Sequence, residues 1–408
     1  MKKALLGAVF SLSLFAMLPD VRAEGVFPLR YQQLTDRSQP CAAVACRYFT
    51  LLPPPEQPQA LPAGIAGAAR PYSTQFGSGQ LLLVLAGSKA YLDTDADGDL
   101  SGEAPLVQVE MRSQGNVTVY QFAPVAVRIP GSQEGVRTAV SLEVTSMRGR
   151  EPDAAFYPAG CCGGMVQFGR SRCRLAVVDG DYDGRYDGVF SPSSDGAAHD
   201  WLAVDLNGDG RMDRGADGVG EVIPLPKLIQ MDGAYYGLEV QPDGSAIRIT
   251  KAEPKVGVLD VGTPGAEVAL LSDCGAYRLG GAEGKWLLPE GDYVSTAVNL
   301  NLTDRRAAKW TLRGTGNVGG LRHFRIRVGE TLVQKVGPPL TGKTTVTQLS
   351  REPATGQSIV MIGCEVTGQA GEAYLPGVEK DGQRQPPPRF RVLDQRGKVN
   401  ASGLFEYG

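Results

Sequence analysis

Histidine is almost absent from this chain of 408 residues, in which His199 and His323 are the only two. Zinc sites built on histidine pairs and most histidine proton relays are therefore excluded. No Cys-x-x-Cys pair occurs, which disfavours zinc ribbons, thioredoxin-type redox sites and attached c-type haem. The net charge is −3 and no basic stripe appears, so we expect no nucleic-acid partner.

Long hydrophobic runs are also missing after residue 23, so we expect no membrane span in the mature chain. Residues 1–23 combine Lys2 and Lys3, an apolar run over residues 4–18 and a small residue, Ala23, at the end. This order is typical of a secretory signal peptide. The sequence therefore predicts an exported protein of the periplasm, the outer envelope or the extracellular space.

All seven cysteines follow the predicted signal peptide, and in an exported protein they are disulfide candidates. Spacing alone leaves many pairings open. The preferred pairings are Cys41–Cys46, Cys173 with either Cys161 or Cys162, and Cys274–Cys364. A soft-metal site at the adjacent Cys161 and Cys162 is a weaker alternative.

Helical periodicity is scarce, whereas alternation of apolar and polar residues recurs. Alternate residues of 140–144 and of 173–177 are apolar, which places them on one face of a strand. Turn residues predict three hairpins, around residues 242–244, 289–291 and 396–397. We therefore predict a mainly β fold, with several β-sandwich or β-meander modules in tandem and few helices.

The strongest chemical signal is the pattern Asp-x-[Asp/Asn]-x-Asp-Gly, which begins at Asp93, Asp179 and Asp205, each time after a strand-like stretch. Oxygens at positions 1, 3 and 5 of such a loop converge on one hard cation, and Gly at position 6 allows a sharp turn. A backbone carbonyl at position 7 and an oxygen at position 9 complete the shell. The predicted metal ligands, in that order, are Asp93, Asp95, Asp97, Asp99 and Ser101; Asp179, Asp181, Asp183, Arg185 and Asp187; and Asp205, Asn207, Asp209, Arg211 and Asp213.

These segments resemble the calcium loops of EF-hands, dockerins and thrombospondin-type repeats, and the resemblance implies structural Ca²⁺. They depart from the EF-hand at position 12, which is Ala104, Phe190 or Ala216 instead of Glu, and their flanks are strand-like. Glu103 and Asp217 lie one position away and are candidates for late ligands. The alternative is a set of polar turns without an ion. Mg²⁺ fits less well, because it prefers fewer protein oxygens.

Residues 337–344 satisfy Gly-x-x-x-x-Gly-Lys-Thr and resemble the P-loop of AAA-type ATPases. A P-loop needs a helix directly after it. Here β-branched residues and Pro353 follow instead. We therefore predict a Pro-Gly linker that leads into a strand, and no nucleotide site.

The C-terminal region contains the pattern Trp-x-Leu-Pro-x-Gly-x-Tyr, formed by Trp286, Leu288, Pro289, Gly291 and Tyr293. It resembles a hairpin of carboxypeptidase-regulatory-like, prealbumin-type sandwiches. This resemblance implies a non-catalytic module that serves in packing, binding or display.

Proline clusters and changes in composition divide the chain into five predicted units. They are the signal peptide (1–23), an N-terminal segment with a Pro-rich connector (24–71), a β region with three calcium-type loops (72–258), a prealbumin-like sandwich (259–338) and an Ig-like module (339–408).

The leading hypothesis is a non-enzymatic, exported, calcium-stabilised scaffold or interaction protein of the envelope or cell surface, with an unknown protein or glycan partner. One alternative is a hydrolase or enzyme subunit whose active site is unrecognised. His199-Asp200 invites a catalytic-triad interpretation, but a loop before the next strand explains it better. The other alternative is a glycan- or peptide-binding module that uses exposed aromatic residues, such as Trp201, Trp286, Tyr235 and Tyr236.

Overall fold

The computed structural model describes residues 24–34, 47–51, 60–62, 64–65, 69–130, 137–147, 149–193, 199–316, 318–351, 358–375 and 377–405. The predicted signal peptide and the Cys41–Cys46 pair lie outside these residues. In the described ranges the regular structure consists of β-strands and a single 3₁₀ turn, Gly319–Leu321, which confirms the prediction of a mainly β fold. No helix in these ranges has the length and apolarity that a membrane span requires.

The strands follow in chain order. The first are β1 (Gly25–Pro28), β2 (Arg30–Gln33), β3 (Arg47–Thr50), β4 (Arg70–Phe76), β5 (Gly79–Ala86), β6 (Lys89–Leu92), β7 (Gln108–Gln114), β8 (Val117–Phe122), β9 (Val125–Arg128), β10 (Arg137–Met147), β11 (Asp153–Pro158), β12 (Gly160–Phe168), β13 (Ser171–Val178), β14 (Trp201–Val204), β15 (Val222–Pro224), β16 (Leu228–Met231), β17 (Ala234–Val240) and β18 (Ala246–Ala252).

The C-terminal strands are β19 (Val256–Asp260), β20 (Ala266–Ser272), β21 (Gly275–Leu279), β22 (Lys285–Pro289), β23 (Gly291–Thr303), β24 (Lys309–Thr315), β25 (Phe324–Ile326), β26 (Thr331–Val333), β27 (Thr341–Arg351), β28 (Ser358–Thr367), β29 (Ala373–Tyr374), β30 (Glu379–Lys380), β31 (Gln383–Arg384), β32 (Arg389–Leu393) and β33 (Val399–Leu404).

Sandwich I encloses a core between the sheet β4-β5-β6 and the sheet β3-β11-β10-β8-β7, in which β9 also pairs with β10. As predicted, Val140, Leu142 and Val144 of β10 all face this core and are buried. Phe76 and Phe156 fill its centre with no exposed surface. Burial of alternate apolar side chains from both sheets therefore holds sandwich I together.

Sandwich II packs the sheet β1-β18-β17-β16 against the sheet β15-β14-β13-β12-β2. Cys173, Leu175 and Val177 of β13 share the inner face, as the alternation predicted. The outer face of the second sheet is covered as well, so all four residues of β14 are buried. Because β13, β14 and β15 are antiparallel neighbours, the end of each strand lies beside the start of the next.

Sandwich III packs the small sheet β22-β19-β26 against a ten-stranded sheet. Seven of its strands follow the order β21-β20-β23-β24-β29-β28-β27, β25 pairs with β23, and β30 pairs with β24 and β31. This larger sheet takes strands from both sides of residue 338, where the sequence pattern suggested a module boundary. The Gly-Lys-Thr of the rejected P-loop pattern lies at residues 342–344 in β27, so a strand follows the linker, as predicted. β32 and β33 form a separate hairpin.

Two of the three predicted hairpins are confirmed, namely β17–β18 and β32–β33. The hairpin around residues 289–291 is wrong, because β22 pairs with β19 whereas β23 pairs with β20 and β24. The buried Tyr293 donates a hydrogen bond from its hydroxyl to the carbonyl of Pro289 at 2.8 Å. The Leu-Pro-x-Gly-x-Tyr segment is therefore a corner at which the chain crosses between two sheets.

The two predicted disulfides that fall on described residues are also wrong, since their cysteines are thiols in the structure. Cys173 lies opposite Val166, four residues from Cys162, which separates the two cysteines by about 13 Å. Cys161 points to the other face of β12. Three strands lie between β20, which Cys274 follows, and β28, which carries Cys364. A disulfide needs Cα atoms within about 7 Å of each other.

Candidate metal centres

The three aspartate loops, which we call loop 1 (residues 93–104), loop 2 (179–190) and loop 3 (205–216), follow β6, β13 and β14 directly. Each begins with a buried Asp. Positions 4 and 6 adopt left-handed backbone in all three. These residues are Ala96, Tyr182 and Gly208 (φ 58°, 60° and 74°) and Gly98, Gly184 and Gly210 (φ 80°, 81° and 81°). A side chain in this conformation costs about 1–2 kcal/mol, so Ala96 and Tyr182 persist there because the surrounding loop imposes it.

Hydrogen bonds within the loops repeat with the same spacing. In each loop the N–H of Gly at position 6 donates to Oδ2 of the first Asp, at 3.0, 3.1 and 3.1 Å. The N–H at position 7 donates to Oδ1 of the Asp at position 5, at 2.7 Å in each case. The three loops are therefore copies of one structure, and each curls its own backbone around its carboxylates.

This curl brings the predicted ligands together. One carboxylate oxygen from each of Asp93, Asp95 and Asp97 lies within 4.8 Å of the others, and the same holds for Asp179, Asp181 and Asp183. Oxygens that share a cation at about 2.3–2.6 Å have such separations. Loops 1 and 2 could therefore each hold a metal ion. Loop 3 has the same backbone, with the amide oxygen of Asn207 at position 3.

Asp179 is the most informative of these residues. It is 1% exposed, and its Oδ1 has no hydrogen-bond partner among the described residues, although Oδ2 accepts from Gly184. Burial, and then the charges of Asp181 and Asp183, raise the pKa of Asp179 to about 8. A buried charge without a counter-ion is costly. A cation at the centre of the cluster would satisfy Oδ1 and offset the repulsion.

In loops 2 and 3, a carboxylate from outside the loop accepts hydrogen bonds from the loop backbone. Asp200, just before β14, accepts the N–H groups of Gly180 (3.1 Å) and Gly188 (2.7 Å). Glu221, just before β15, accepts those of Leu206 (2.9 Å) and Asp213 (3.1 Å). The antiparallel sheet explains both positions, since the residue before one strand lies beside the loop that follows its neighbour.

Loop 1 has its support inside the loop. Glu103 accepts hydrogen bonds from the N–H (2.9 Å) and the hydroxyl (3.0 Å) of Thr94, the second residue. Glu103 therefore holds the same backbone position as Asp200 and Glu221 do in the other loops. Sequence reasoning treated Glu103 as a possible late ligand and missed the other two. An acidic residue directly before an apolar strand is the signal that could have found them.

The remaining predicted ligands have different surroundings. The guanidinium of Arg185 donates two hydrogen bonds, at 2.7 and 3.0 Å, to the carboxylate of Asp187 at position 9. The predicted ligand atom of Arg185 is therefore its backbone carbonyl oxygen and not its side chain. Asp217 is held by Arg278 (2.7 and 2.8 Å), so its carboxylate forms an ion pair. In loop 1, Asp99 accepts the N–H of Ser101. The side chains of Arg211 and Asp213 are exposed.

Loops 2 and 3 lie where the sandwiches meet. Tyr182 of loop 2 inserts into the core of sandwich I, stacks on Phe76 and donates its hydroxyl to the carbonyl of Phe156. Phe190, at the end of loop 2, and Val219, after loop 3, pack together against β20 of sandwich III. Loop 2 and the segment that follows loop 3 therefore each contact a neighbouring sandwich.

His199 does not form a triad with Asp200, whose two oxygens accept backbone N–H groups. Its ring lies between Phe190 and Trp201, and neither ring nitrogen has a hydrogen-bond partner in the described chain. Burial, and then the charge of Arg214, lower the pKa of His199 to about 4. The ring therefore serves as an uncharged aromatic packing group.

Comparisons of this chain with models of protein families, with curated proteins and with solved structures found no match.

Proposed function

We propose that this chain is a calcium-stabilised multi-module β scaffold, in which the aspartate loops bind Ca²⁺ and fix the sandwiches to one another. The observation that carries the proposal is the buried Oδ1 of Asp179, which has no hydrogen-bond partner in the described part of the chain and lies within a cluster of three carboxylates. A polar turn without an ion would be more stable if this oxygen were exposed to water or hydrogen-bonded, because a buried oxygen without a partner costs free energy.

The donor set favours calcium over other metals. All predicted side-chain ligands are oxygens, which suit hard cations, and the loops offer neither imidazole nor thiolate. Five or more oxygens per loop exceed what Mg²⁺ usually takes from protein. The missing position-12 carboxylate leaves room for water and favours weak sites, with Kd about 10⁻⁴–10⁻³ M.

The position of the loops supports a mechanical role. Loop 2 contacts sandwich I through Tyr182 and sandwich III through Phe190. Loop 3 continues into Asp217 and Val219, which bind Arg278 of β21. An ion that orders these loops would restrict motion between modules. Weak sites of this kind suit a calcium-rich extracytoplasmic compartment, in agreement with the signal-peptide pattern of residues 1–23.

Isothermal titration calorimetry of the purified chain with Ca²⁺, at low ionic strength, tests the proposal. We expect two to three ions per chain, and one fewer in Asp179→Asn, because the amide removes one ligand charge. Asp153→Asn, an exposed residue of β11 away from the loops, is the matched control and keeps the full count. Absence of saturable calcium binding in the native chain would contradict the proposal.

A further inference from the structure

Sandwich I has an open end with a pocket of about 210 Å³, away from the aspartate loops. The pocket lies between the inner faces of its two sheets. Tyr72 of β4 and Leu85 of β5 line one side, and Tyr120 of β8 and Val144 of β10, which are cross-strand partners, line the other. Its floor is therefore apolar and aromatic, and it continues into the core.

The rim of this pocket is positively charged. Arg70, Lys89 and Arg150 all line it. Glu151 offsets one charge, because it accepts the Tyr72 hydroxyl at 2.9 Å and lies 3.7 Å from Arg70. Lys89 and Arg150 form no ion pair with another described residue. The rim thus concentrates positive charge in a chain whose net charge is −3.

Size and chemistry together define the ligand class. A volume of about 210 Å³ is less than the ~300 Å³ of the smallest drug-sized sites, so the pocket suits one ring. Guanidinium groups bind carboxylates in two parallel bonds. The hydroxyls of Ser88 and Ser146 on the wall suit a hydroxylated ring, and the tyrosines offer it an apolar surface.

We propose that this pocket binds a single sugar ring that carries a carboxylate, a uronate, with Arg150 and Lys89 holding the carboxylate and Tyr120 contacting the ring. The proposal is independent of calcium, because none of the loop residues lines the pocket. It would give the scaffold an acidic glycan as its partner.

Ligand-observed NMR titration with D-glucuronate tests it, in buffer freed of calcium by a chelating resin, so that calcium cannot bridge the sugar to the protein and no soluble carboxylate chelator competes for the pocket. We expect saturable binding with Kd about 1 mM, and binding of D-glucose at least about tenfold weaker, since one charge-assisted contact is worth about a factor of ten. Arg150→Gln and Lys89→Gln should each weaken glucuronate binding to a similar extent. Both residues are exposed, so the fold should persist, and circular dichroism checks this.

The matched control is Arg391→Gln, an exposed arginine of β32 outside sandwich I, which should bind glucuronate as the native chain does. Four results would overturn the proposal: no saturable glucuronate binding, equal binding of glucose, no effect of Arg150→Gln, or acetate that binds as tightly as glucuronate. The last result would show that the pocket recognises charge alone.

Discussion

Tyr182 of loop 2 stacks on Phe76 of sandwich I, with ring centroids 4.7 Å apart and planes inclined by 19°. Tyr182 occupies position 4 of its loop with φ 60°, a conformation that few side chains adopt. The loop thus combines a strained backbone, a cluster of carboxylates and the anchor of a neighbouring core. This arrangement links the carboxylate cluster of sandwich II to the packing of sandwich I.

Truncation of the Tyr182 side chain should lower the stability of the folded chain. Tyr182 has no exposed surface, so Tyr182→Ala should reduce the free energy of unfolding by about 3–5 kcal/mol. Tyr182→Phe keeps the stacking and loses only the hydrogen bond to Phe156, so its cost should be about 1 kcal/mol. Urea unfolding in calcium measures both. A cost for Tyr182→Ala no larger than that of Tyr182→Phe would show that the anchor is not needed.

The supporting carboxylates should matter for one loop each. In Asp200→Asn only one side-chain oxygen remains to accept the N–H groups of Gly180 and Gly188, so we expect a loss of about 1–3 kcal/mol and weaker calcium binding at loop 2. Glu221→Gln should act in the same way at loop 3. Calcium titration of the two single variants and the double variant separates the sites. Equal effects of both substitutions on the same site would refute the assignment.

Asp217 should contribute to stability without contributing to metal binding. Its carboxylate is engaged by Arg278, whose side chain is more than half exposed, so a double-mutant cycle between Asp217→Asn and Arg278→Gln should give a coupling of about 0.5–1 kcal/mol. The number of bound calcium ions should stay the same in Asp217→Asn. A lost ion would show that Asp217 is a ligand after all.

The rise in Tm that calcium produces should become larger as the pH increases. In the folded chain without an ion, the pKa of Asp179 is about 8 against an ordinary 3.8, so the folded state holds its proton more tightly than the unfolded state. In chelator, this group therefore favours unfolding more as pH rises from 6.5 to 8. Calcium competes with the proton, so the rise in Tm on calcium addition should increase over that range. Calorimetry at both pH values measures the rise in Tm on calcium addition. In the control variant Asp179→Asn, this rise should change less between the two pH values.

The pattern of the sequence predicted the local parts of this account. Alternation in β10 and β13 identified the inward faces, because a strand that buries one face needs apolar residues at every second position. The spacing of Asp and Gly identified the loops, because ligand geometry fixes positions within a few residues. Such signals lie within one short segment, so a single sequence reveals them.

The features that the sequence did not predict, or predicted wrongly, depend on contacts between distant segments. Asp200 and Glu221 reach their loops from 21 and 16 residues beyond the first Asp, because antiparallel pairing brings them there. Turn residues at 289–291 indicated a bend but not which strands pair, and the chain in fact crosses between sheets. The cysteine pairings assumed proximity that the strand register does not provide.

Thermal unfolding in calcium and in chelator tests the central claim, that bound calcium stabilises this fold. With free Ca²⁺ at about 100 times Kd, each occupied site should add about 2.7 kcal/mol of stability, and so raise Tm by several degrees over the value in EDTA. Equimolar Mg²⁺ should give a smaller rise. A Tm that is the same in calcium and in chelator would contradict the account.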